Sequence, residues 1–397
     1  MWWRRQRLVA LALGVLLAVV FAASEVRTPA EVAWEAATLQ GIAAERAPGL
    51  VLQYETDRDV WASEGYSIYR SRDGGAFERV FTLRPRLGEA WAGYARTLRR
   101  WFGYQELVEL LPLDEGHLVV FGGGDVYRVD LASARQERVH TLRYFGRGKG
   151  RGVMPHGLTL DPDGNVYYGE YPTQPDGAPG TIRVWRATEG ATHWEVAFEF
   201  GPGEVRHIHG VQWDPYGEAI WIGTGDRDSG SRIGFSRDRA SHFEWVGTGS
   251  QLYRACSLLF FPEDVVWATD ADLEPARVGR WSRGAASVEA LEEEVPAPTF
   301  YAQALDDRNG VIGLAERDAS LWRLGRDGRL VRLFRWTMPV PARPGPHPSV
   351  RLARVPPARP TARPFVLVNP LRTVEDEATI WRLPRRFVVD DDVAARQ

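Results

Sequence analysis

Histidines and carboxylates recur at matching places along the chain. His156 and His209 each begin a segment that reads His-Gly, continues with apolar residues and turns at Asp-Pro. Glu170, Asp226 and Asp270 each follow one of the next apolar segments. Imidazoles and carboxylates are the side chains that most often transfer protons in enzymes. These positions therefore predict an acid–base site if the fold brings them together, and capping of the neighbouring turns is the alternative for each carboxylate.

His207 and His209 are two residues apart in the segment Arg206-His207-Ile208-His209. Alternate side chains of a β-strand point to the same face, so both imidazoles would lie on one side. Imidazole nitrogen is a common ligand of divalent metals, and the pair is therefore a candidate metal site. The spacing supplies no third ligand, and hydrogen bonding between neighbouring structural units is the alternative interpretation.

Arg254 follows the segment Gln251-Leu252-Tyr253 and adds a permanent positive charge to this group. The candidate catalytic residues are His156, His209, Tyr253, Arg254, Glu170 and Asp226. The candidate ligand-binding residues are Tyr171, Arg206, His207, Gln251, Asp270, Arg147 and Arg151. The last two belong to a basic, glycine-rich segment, which favours an anionic ligand, although a solvated loop would have the same composition.

A repeated phrase predicts the elements that must position these side chains. An aliphatic residue, an aromatic residue and Arg recur at intervals of roughly 40 to 60 residues, the period of radially repeated sheets. The clear copies are Ile68-Tyr69-Arg70, Val126-Tyr127-Arg128, Val184-Trp185-Arg186, Leu321-Trp322-Arg323 and Ile380-Trp381-Arg382, with weaker ones at Ile233-Gly234-Phe235-Ser236 and Val278-Gly279-Arg280-Trp281. Each follows a strand–turn–strand unit and precedes a further strand, giving four strands a unit. We therefore predict an all-β fold, a seven-bladed β-propeller, although six or eight blades fit the same spacing.

The predicted blades place the candidate residues on one face. In a blade, the first strand starts at the face to which the second strand returns, and loops on such a rigid frame often carry function. This strand order pairs His156 with Glu170 and Tyr171, His209 with Asp226, and Arg254 with Asp270.

The turns after the repeated phrase resemble a known motif. The first reads Ser71-Arg72-Asp73-Gly74-Gly75-Ala76-Phe77, with related versions at 187–194 and 236–243 and a fainter one at 325–328. They resemble the Asp-box of BNR-repeat, sialidase-superfamily propellers, which implies turns with a structural role. The segments 206–210, 223–226 and 251–254 resemble those of exported glycosyl-hydrolase-like propellers of this kind, which implies a shared pocket but no particular reaction. The Arg-Ile-Pro motif of sialidases is absent from the sequence and no Arg triad can be assigned, so sialidase activity is not expected.

The N-terminal sequence predicts that the protein is targeted for export. Arg4, Arg5 and Arg7 precede an uninterrupted apolar run over residues 8–23, which is the architecture of a signal peptide. We assign 1–24 to a signal peptide or membrane anchor, 25–49 to a helical lead-in, 50–390 to the propeller and 391–397 to a C-terminal tail. The protein is accordingly expected to be extracytoplasmic, with membrane association through the N-terminus left open. Apolar spacing also predicts an inserted helix over about 84–103.

Composition and charge limit the classes of partner and of covalent cross-link that are expected. A net charge of −3 supplies no bulk field for nucleic acid, and none is expected as a partner. Cys256 is the single cysteine, which excludes an intrachain disulfide. Its apolar neighbours predict a buried, small hydrophobic residue.

Several functions fit these observations. The first is an exported propeller that binds or processes an anionic polysaccharide or oligosaccharide, with β-elimination at a uronate as the favoured reaction. In that reaction Arg254 would neutralise the carboxylate, and His209, His156 or Tyr253 would remove the adjacent proton. Hydrolysis by two carboxylates, Glu170 and Asp226, is the enzymatic alternative. The non-enzymatic alternatives are a glycan- or protein-binding propeller in an envelope assembly and a membrane-tethered scaffold. A divalent metal is the one cofactor that the sequence suggests.

Overall fold

The computed structural model describes residues 2–25, 29–86, 107–146, 148–173, 180–271, 274–315, 318–337, 349–355, 363–374 and 376–389. Helix α1 spans Trp2–Glu25 and a short helix, α2, spans Arg385–Val389. Within these ranges, no helix has both the length and the hydropathy that crossing a membrane requires. The assignment of 1–24 to a signal peptide or anchor stays a prediction.

The described residues form seven antiparallel sheets of four or five strands. The first contains β4 (Val51–Glu55), β5 (Asp59–Glu64), β6 (Ser67–Arg72) and β7 (Phe77–Thr82), with β1 (Glu31–Val32) at its edge. The second contains β8 (Val108–Pro112), β9 (His117–Gly122), β10 (Asp125–Asp130) and β11 (Arg135–Thr141). The third contains β14 (Leu158–Leu160), β15 (Val166–Gly169), β17 (Ile182–Thr188) and β18 (His193–Phe200).

The other four sheets repeat this order. The fourth contains β19 (Ile208–Asp214), β20 (Ala219–Thr224), β21 (Arg232–Ser236) and β22 (Glu244–Thr248). The fifth contains β23 (Leu259–Phe260), β24 (Asp264–Ala268), β25 (Ala276–Ser282) and β26 (Glu289–Val295), and the sixth contains β27 (Thr299–Ala304), β28 (Asn309–Leu314), β29 (Ala319–Gly325) and β30 (Leu330–Trp336). The seventh contains β31 (Ser349–Leu352), β32 (Phe365–Leu371) and β33 (Thr379–Pro384), completed by β3 (Ile42–Pro48) and β2 (Glu35–Leu39). A small additional sheet contains β12 (Phe145–Gly146), β13 (Gly150–Gly152) and β16 (Tyr171–Pro172).

The first strand of each large sheet, or the segment next to it, lines one central cavity. The wall of the cavity includes Tyr54, Leu111, Leu158, Gln212, Phe260, Ala302 and Leu352, one residue from each of the seven sheets. A parallel bridge between Tyr54 and Arg354 joins the seventh sheet to the first. Sheets of this form around a common channel make a β-propeller. The count of seven blades for the whole chain stays a prediction, because ranges such as 87–106 and 338–348 lie outside the described part.

The repeated phrase occupies the third strand of every large sheet, namely β6, β10, β17, β21, β25, β29 and β33. In six of them the pairing with the fourth strand shifts register at the phrase. Such a β-bulge increases the local twist of a strand pair. The Arg of the phrase then pairs with a carboxylate on an adjacent strand in several sheets, as with Arg70 and Asp59.

The helical lead-in predicted over 25–49 is wrong, because this region forms β1, β2 and β3. β3 pairs with β33 from Glu45↔Arg382 to Pro48↔Thr379, so the N-terminal segment supplies outer strands of the seventh sheet. An alanine-rich segment has good helix propensity, but pairing with an available sheet edge outweighs that preference. The inserted helix predicted over 84–103 falls mostly on 87–106, outside the described residues.

Candidate functional site

The side chains best suited to acid–base or metal chemistry meet where the fourth and fifth sheets approach each other. His207 and His209 lie at the start of β19, and Asp226 follows β20. The segment 254–257, which carries Cys256, packs directly on these two strands. A side chain at Gly210 or Gly223 would collide with it, because a Cβ there would lie 2.3 Å from the Cys256 carbonyl oxygen or 2.2 Å from that of Ala255. Glycine at both positions therefore brings Cys256 beside His209.

Two imidazole nitrogens and one carboxylate oxygen converge at this place. His207 Nε2 lies 2.8 Å from His209 Nε2. Asp226 Oδ1 lies 3.0 Å from His207 Nε2 and 3.3 Å from His209 Nε2. We call these three residues the cation triad. Both histidines are 2% exposed, so solvent does not separate the three atoms.

The hydrogen bonds of the two Nδ1 atoms, which point away from the triad, determine the tautomers of His207 and His209. His207 Nδ1 lies 3.0 Å from the carbonyl oxygen of Pro172, which can only accept, so the proton of a neutral ring is on Nδ1. His209 Nδ1 lies 3.1 Å from Asp270 Oδ2, which fixes the same tautomer. If both rings were neutral, both Nε2 atoms would present lone pairs to each other and to a carboxylate. Either a proton on His209 Nε2 or a cation between the three atoms is therefore required.

The triad fits a divalent cation. Neighbouring ligands about 2.1 Å from one metal lie about 3 Å apart when the angle between them is near 90°, and the three measured separations are 2.8, 3.0 and 3.3 Å. Two imidazoles and a carboxylate suit first-row divalent metals such as Mn²⁺, Fe²⁺ and Zn²⁺. Three protein ligands also leave positions open for water or substrate.

Asp270, Cys256 and Arg254 form a second layer behind His209. Cys256 Sγ lies 3.2 Å from His209 Nδ1, and Arg254 Nη2 lies 3.2 Å from Asp270 Oδ2. Burial alone would lower the pKa of His209, but Cys256, Asp226 and Asp270 together raise that pKa well above its usual value. Burial raises the pKa of the Cys256 thiol to about 12. Cys256 is buried as predicted, but it contacts polar groups instead of serving as an apolar filler.

Asp226 is held from several sides. Its Oδ2 accepts a bond of 2.5 Å from Arg206 Nη1, and its carbonyl oxygen accepts from Gln251 Nε2 at 3.3 Å. Burial would raise the pKa of Asp226, but His207 and His209 hold it well below its usual value. The backbone φ of Asp226 is +100°, a conformation that favours glycine. Non-glycine residues with such angles concentrate at functional sites, where neighbouring contacts enforce them.

Tyr171 covers the triad. Its ring stacks on that of His207 with centroids 4.0 Å apart and planes 17° from parallel. Burial raises the pKa of the Tyr171 phenol. The ring therefore orients His207 and keeps water from one side of it.

His156 lies near the triad, on the wall of the central cavity. Burial, and to a lesser extent the charge of the nearby His209, lowers its pKa to about 3. Neither ring nitrogen has a hydrogen-bond partner among the residues that the structure describes. His156 is therefore a neutral imidazole with a lone pair available.

The other predicted site residues lie elsewhere. Glu170 binds Trp185 Nε1 at 3.0 Å, the Arg183 backbone N–H at 3.1 Å and Arg143 at 3.2 Å, and burial raises its pKa. The Tyr253 ring packs against Gly247 and the core cluster around Trp221 and Trp267, and the catalytic role of Tyr253 stays a prediction. Arg151 lies on β13, where its charge lowers the pKa of His156. Arg147 lies outside the described residues.

The sequence analysis did not predict a buried cluster of charged residues inside the channel. Glu109 on β8 pairs with Arg351 at 2.5 Å and with Arg354 at 2.7 Å. Gln53 Oε1 accepts from the same two guanidinium groups at 3.0 and 3.1 Å. Despite burial, Arg351 and Arg354 lower the pKa of Glu109 to about 2. A signal existed, because each of these residues interrupts an otherwise apolar first strand or its end.

We expect Asp270→Asn to weaken divalent-cation binding, because an amide holds the His209 tautomer less firmly than a carboxylate does. Loss of a carboxylate behind a ligand histidine typically costs 10- to 100-fold in metal affinity, so we expect about that rise in the Kd for Mn²⁺. Calorimetric titration with Mn²⁺ measures it. Asp327→Asn, in an exposed turn, is the matched control. An unchanged Kd in Asp270→Asn would show that Asp270 does not support the triad.

Comparison with known proteins gives the fold. A structure described as oligogalacturonate lyase in complex with manganese matches with a TM-score of 0.58 at 12% identity, over 89% of this chain and 96% of that one. An oligogalacturonate lyase from Vibrio parahaemolyticus matches with a TM-score of 0.55 at 11% identity, over 89% of this chain and 97% of that one. No protein-family model matches the chain, and no curated protein matches it in sequence. The chain therefore shares the fold of these propellers, while the Asp-box and sialidase-like resemblance stays a prediction.

Proposed function

We propose that this protein is a divalent-cation-dependent lyase that cleaves acidic oligosaccharides by β-elimination at a uronate. The convergence of His207 Nε2, His209 Nε2 and Asp226 Oδ1 within 3.3 Å carries the proposal. The match in fold to oligogalacturonate lyases, one of them in complex with manganese, supports it. Oligogalacturonates are accordingly the first substrates to test.

His207, His209 and Asp226 would hold the cation. When bound, such a cation polarises a substrate carboxylate and so acidifies the adjacent C–H group. Arg206, whose side chain is 43% exposed beside Asp226, is placed to orient that carboxylate from the solvent side. Tyr171 keeps water away from the His207 face of the triad.

His156 is the proposed proton acceptor. Its neutral ring has an available nitrogen, whereas both ring nitrogens of His209 are already engaged. His156 takes the proton from the carbon next to the carboxylate, the electron pair forms the C=C bond, and the glycosidic C–O bond at the next carbon breaks. The departing oxygen then takes a proton from water. A base positioned in this way typically contributes 10²- to 10⁴-fold to a rate.

Arg254 has a positioning role in this proposal instead of the predicted contact with substrate. Its side chain is 8% exposed and lies 3.2 Å from Asp270 and 3.5 Å from Asp226. A guanidinium already paired with two carboxylates neutralises their excess negative charge behind the triad. The alternative of hydrolysis by Glu170 and Asp226 has no support in the contacts, because each carboxylate is held by its own separate partners.

The test is the appearance of unsaturated uronate, followed by ultraviolet absorbance, on incubation with oligogalacturonates. We expect activity with Mn²⁺, loss of activity after treatment with EDTA, and recovery when Mn²⁺ is returned. His156→Ala should retain Mn²⁺ binding and lose at least 100-fold in kcat. The absence of unsaturated product from a panel of acidic oligosaccharides in the presence of Mn²⁺ would overturn the proposal.

We also propose that the protein is exported and that its seven large sheets are seven blades. The basic residues and apolar run of the N-terminus support export. Fractionation of producing cells, with sequencing of the N-terminus of the recovered protein, tests this. Recovery of the full-length protein from the cytosol alone would contradict it.

A further inference from the structure

A second group of ligand atoms lies on the other side of the His209 ring from the cation triad. His209 Nδ1 lies 3.1 Å from Asp270 Oδ2 and 3.2 Å from Cys256 Sγ, and this sulfur lies 3.5 Å from the same carboxylate oxygen. We call His209, Cys256 and Asp270 the cysteine cluster. An imidazole, a thiol and a carboxylate that converge in this way are donors of the kinds that bind zinc in proteins.

The cysteine cluster is enclosed and held by the backbone. His209 is 2% exposed, Cys256 is 3% exposed and Asp270 is 5% exposed. The Asp270 backbone N–H donates to the Arg254 carbonyl oxygen at 2.9 Å, and the Cys256 backbone packs directly on Gly210. The three donor atoms are therefore brought together before any cation binds, which lowers the cost of binding.

The separations fit a tetrahedral cation. Zinc lies about 2.0–2.1 Å from nitrogen or carboxylate oxygen and about 2.3 Å from sulfur, so neighbouring ligands of a tetrahedral site lie about 3.4–3.6 Å apart. The three separations in the cysteine cluster are 3.1, 3.2 and 3.5 Å. Each of them has to grow by at most about 0.4 Å to admit the cation.

The donor set favours a thiophilic cation over Mn²⁺. Arg254 Nη2 lies 3.2 Å from Asp270 Oδ2, so the charge of this carboxylate is already balanced. The Cys256 thiolate would then supply most of the negative charge that a bound cation meets. Thiolate sulfur is a soft ligand that selects zinc, whereas Mg²⁺, Ca²⁺ and Mn²⁺ prefer oxygen ligands.

Binding of a cation would release two protons. Without a cation, the Cys256 thiol donates to Asp270 Oδ2, and the His209 Nδ1 proton is directed at Asp270 and Cys256. A cation takes the place of both protons, because only a thiolate and an unprotonated nitrogen coordinate a metal. The three groups therefore have partners in either state, and both protons pass to solvent when the cation enters.

We propose that the cysteine cluster is a binding site for one thiophilic divalent cation, such as Zn²⁺ or its heavier congener Cd²⁺. The site differs from the cation triad in its donor atoms, although both use the His209 ring. The proposal goes beyond the lyase function, because it requires neither a substrate nor elimination.

Occupation of the cysteine cluster would weaken cation binding at the triad, and this consequence rests on the proposed function. Two divalent cations on opposite nitrogens of one buried ring repel each other. Asp270 would also cease to accept from His209 Nδ1, and that bond orients the ring for the triad. Thiophilic cations should accordingly inhibit elimination that depends on Mn²⁺.

The experiment is titration of the metal-free, full-length protein with Cd²⁺, followed by the ultraviolet charge-transfer band of a cadmium–thiolate bond. Cys256 is the only cysteine of the chain, so the band reports this residue alone. Each point is read once the absorbance is constant, because the cluster is buried. We expect one cadmium–thiolate bond per chain and an unchanged circular dichroism spectrum. Absence of the band in excess Cd²⁺, or its appearance only on unfolding, would overturn the proposal.

Two variants locate the cation. Asp270→Asn weakens one ligand, so the Kd for Cd²⁺ measured from the band should rise at least tenfold. His207→Ala removes a ligand of the triad alone, and the Kd should stay within about twofold of the native value. Asp327→Asn, in an exposed turn, is the matched control. An unchanged Kd in Asp270→Asn, or loss of the band in His207→Ala, would overturn the assignment of the cysteine cluster.

Coupling between the two sites is tested with Cys256→Ser. Cd²⁺ should raise the Kd for Mn²⁺ at least tenfold more in the native protein than in this variant, which lacks the thiolate. An equal rise in both proteins would show that Cd²⁺ acts at the triad alone and would contradict the coupling.

The outcome is separable from that of the lyase proposal, because the cadmium–thiolate band is measured without substrate. The band without elimination of any oligosaccharide would support the cysteine cluster and refute the lyase function. Elimination without the band would refute the cysteine cluster and leave the lyase function standing.

Discussion

The His207→Ala variant should lose stoichiometric binding of Mn²⁺ and at least 100-fold of the proposed elimination activity. In the proposed cation site His207 supplies one of three ligand atoms, and the two remaining ligands would hold a divalent cation poorly. Loss of a group behind a ligand already costs 10- to 100-fold, so loss of the ligand itself should cost more. Metal analysis of the purified protein and the initial rate with oligogalacturonates measure the two effects.

Substitution of His207 tests the cation triad more directly than substitution of His209 does. Burial lowers the pKa of His207, so the ring is neutral and its removal leaves no uncompensated charge. Removal of His209 would leave Asp226 and Asp270 without the imidazole that they share, which confuses loss of binding with loss of fold. His242→Ala is the matched control, because that ring is 89% exposed and its bond within the described ranges is to Asp238 of its own turn. Full Mn²⁺ occupancy in His207→Ala would contradict the assignment of the triad.

The Glu109→Gln variant should be the most destabilised of the single substitutions considered. It leaves two guanidinium groups in the channel without their shared carboxylate. Breaking a buried ion pair by removing one partner typically costs 3–5 kcal/mol, so we expect about that loss in the free energy of unfolding. Chemical denaturation followed by circular dichroism measures it. Glu292→Gln, on the exposed face of outer strand β26, should change the stability by less than about 0.5 kcal/mol.

A triple variant distinguishes charge from packing. If the loss in Glu109→Gln comes from uncompensated charge, Glu109→Leu combined with Arg351→Met and Arg354→Leu should recover most of it. Replacement of a whole buried ion network by apolar residues is often neutral or stabilising. A triple variant less stable than Glu109→Gln would show that the network contributes stability of its own.

The lowered pKa of Glu109 also predicts how the stability of the protein depends on pH. Its pKa is about 2 in the folded protein and near the ordinary 4.5 when unfolded. A carboxyl group with a lowered folded pKa stabilises the protein above the unfolded pKa. That contribution, about 3 kcal/mol, is lost as the pH falls from 4.5 towards 2. Unfolding measured across this range should show a steeper loss of stability in the native protein than in Glu109→Gln. Parallel curves of stability against pH for the native protein and Glu109→Gln would contradict this prediction.

Much of the architecture could be predicted from the repeated phrase. Aliphatic–aromatic–Arg segments mark one strand of each sheet because a bulge and a buried aromatic recur there, and these are local properties of the strand. The N-terminal region could not be predicted in the same way. Its partner, β33, lies more than 300 residues away, and local propensity carries no information about such pairing.

The site was predictable only where strand order alone determines proximity. His209 with Asp226 and Arg254 with Asp270 are neighbours because a second strand returns to the face where the first begins. Glu170 could not be placed in this way, since its rotamer turns the carboxylate towards Trp185. The neighbouring position of Cys256 depends on two close backbone contacts, at Gly210 and Gly223, and spacing does not reveal those.

The pairing of β3 with β33 has a consequence for how the chain reaches its native state. β3 is made more than 300 residues before its partner β33, so the edge of β3 stays exposed until β33 is available. Exposed strand edges promote aggregation, and contacts between distant residues slow folding. The ring should therefore form as one late, cooperative event, and a chain truncated before 379 should aggregate even though six of its sheets are intact.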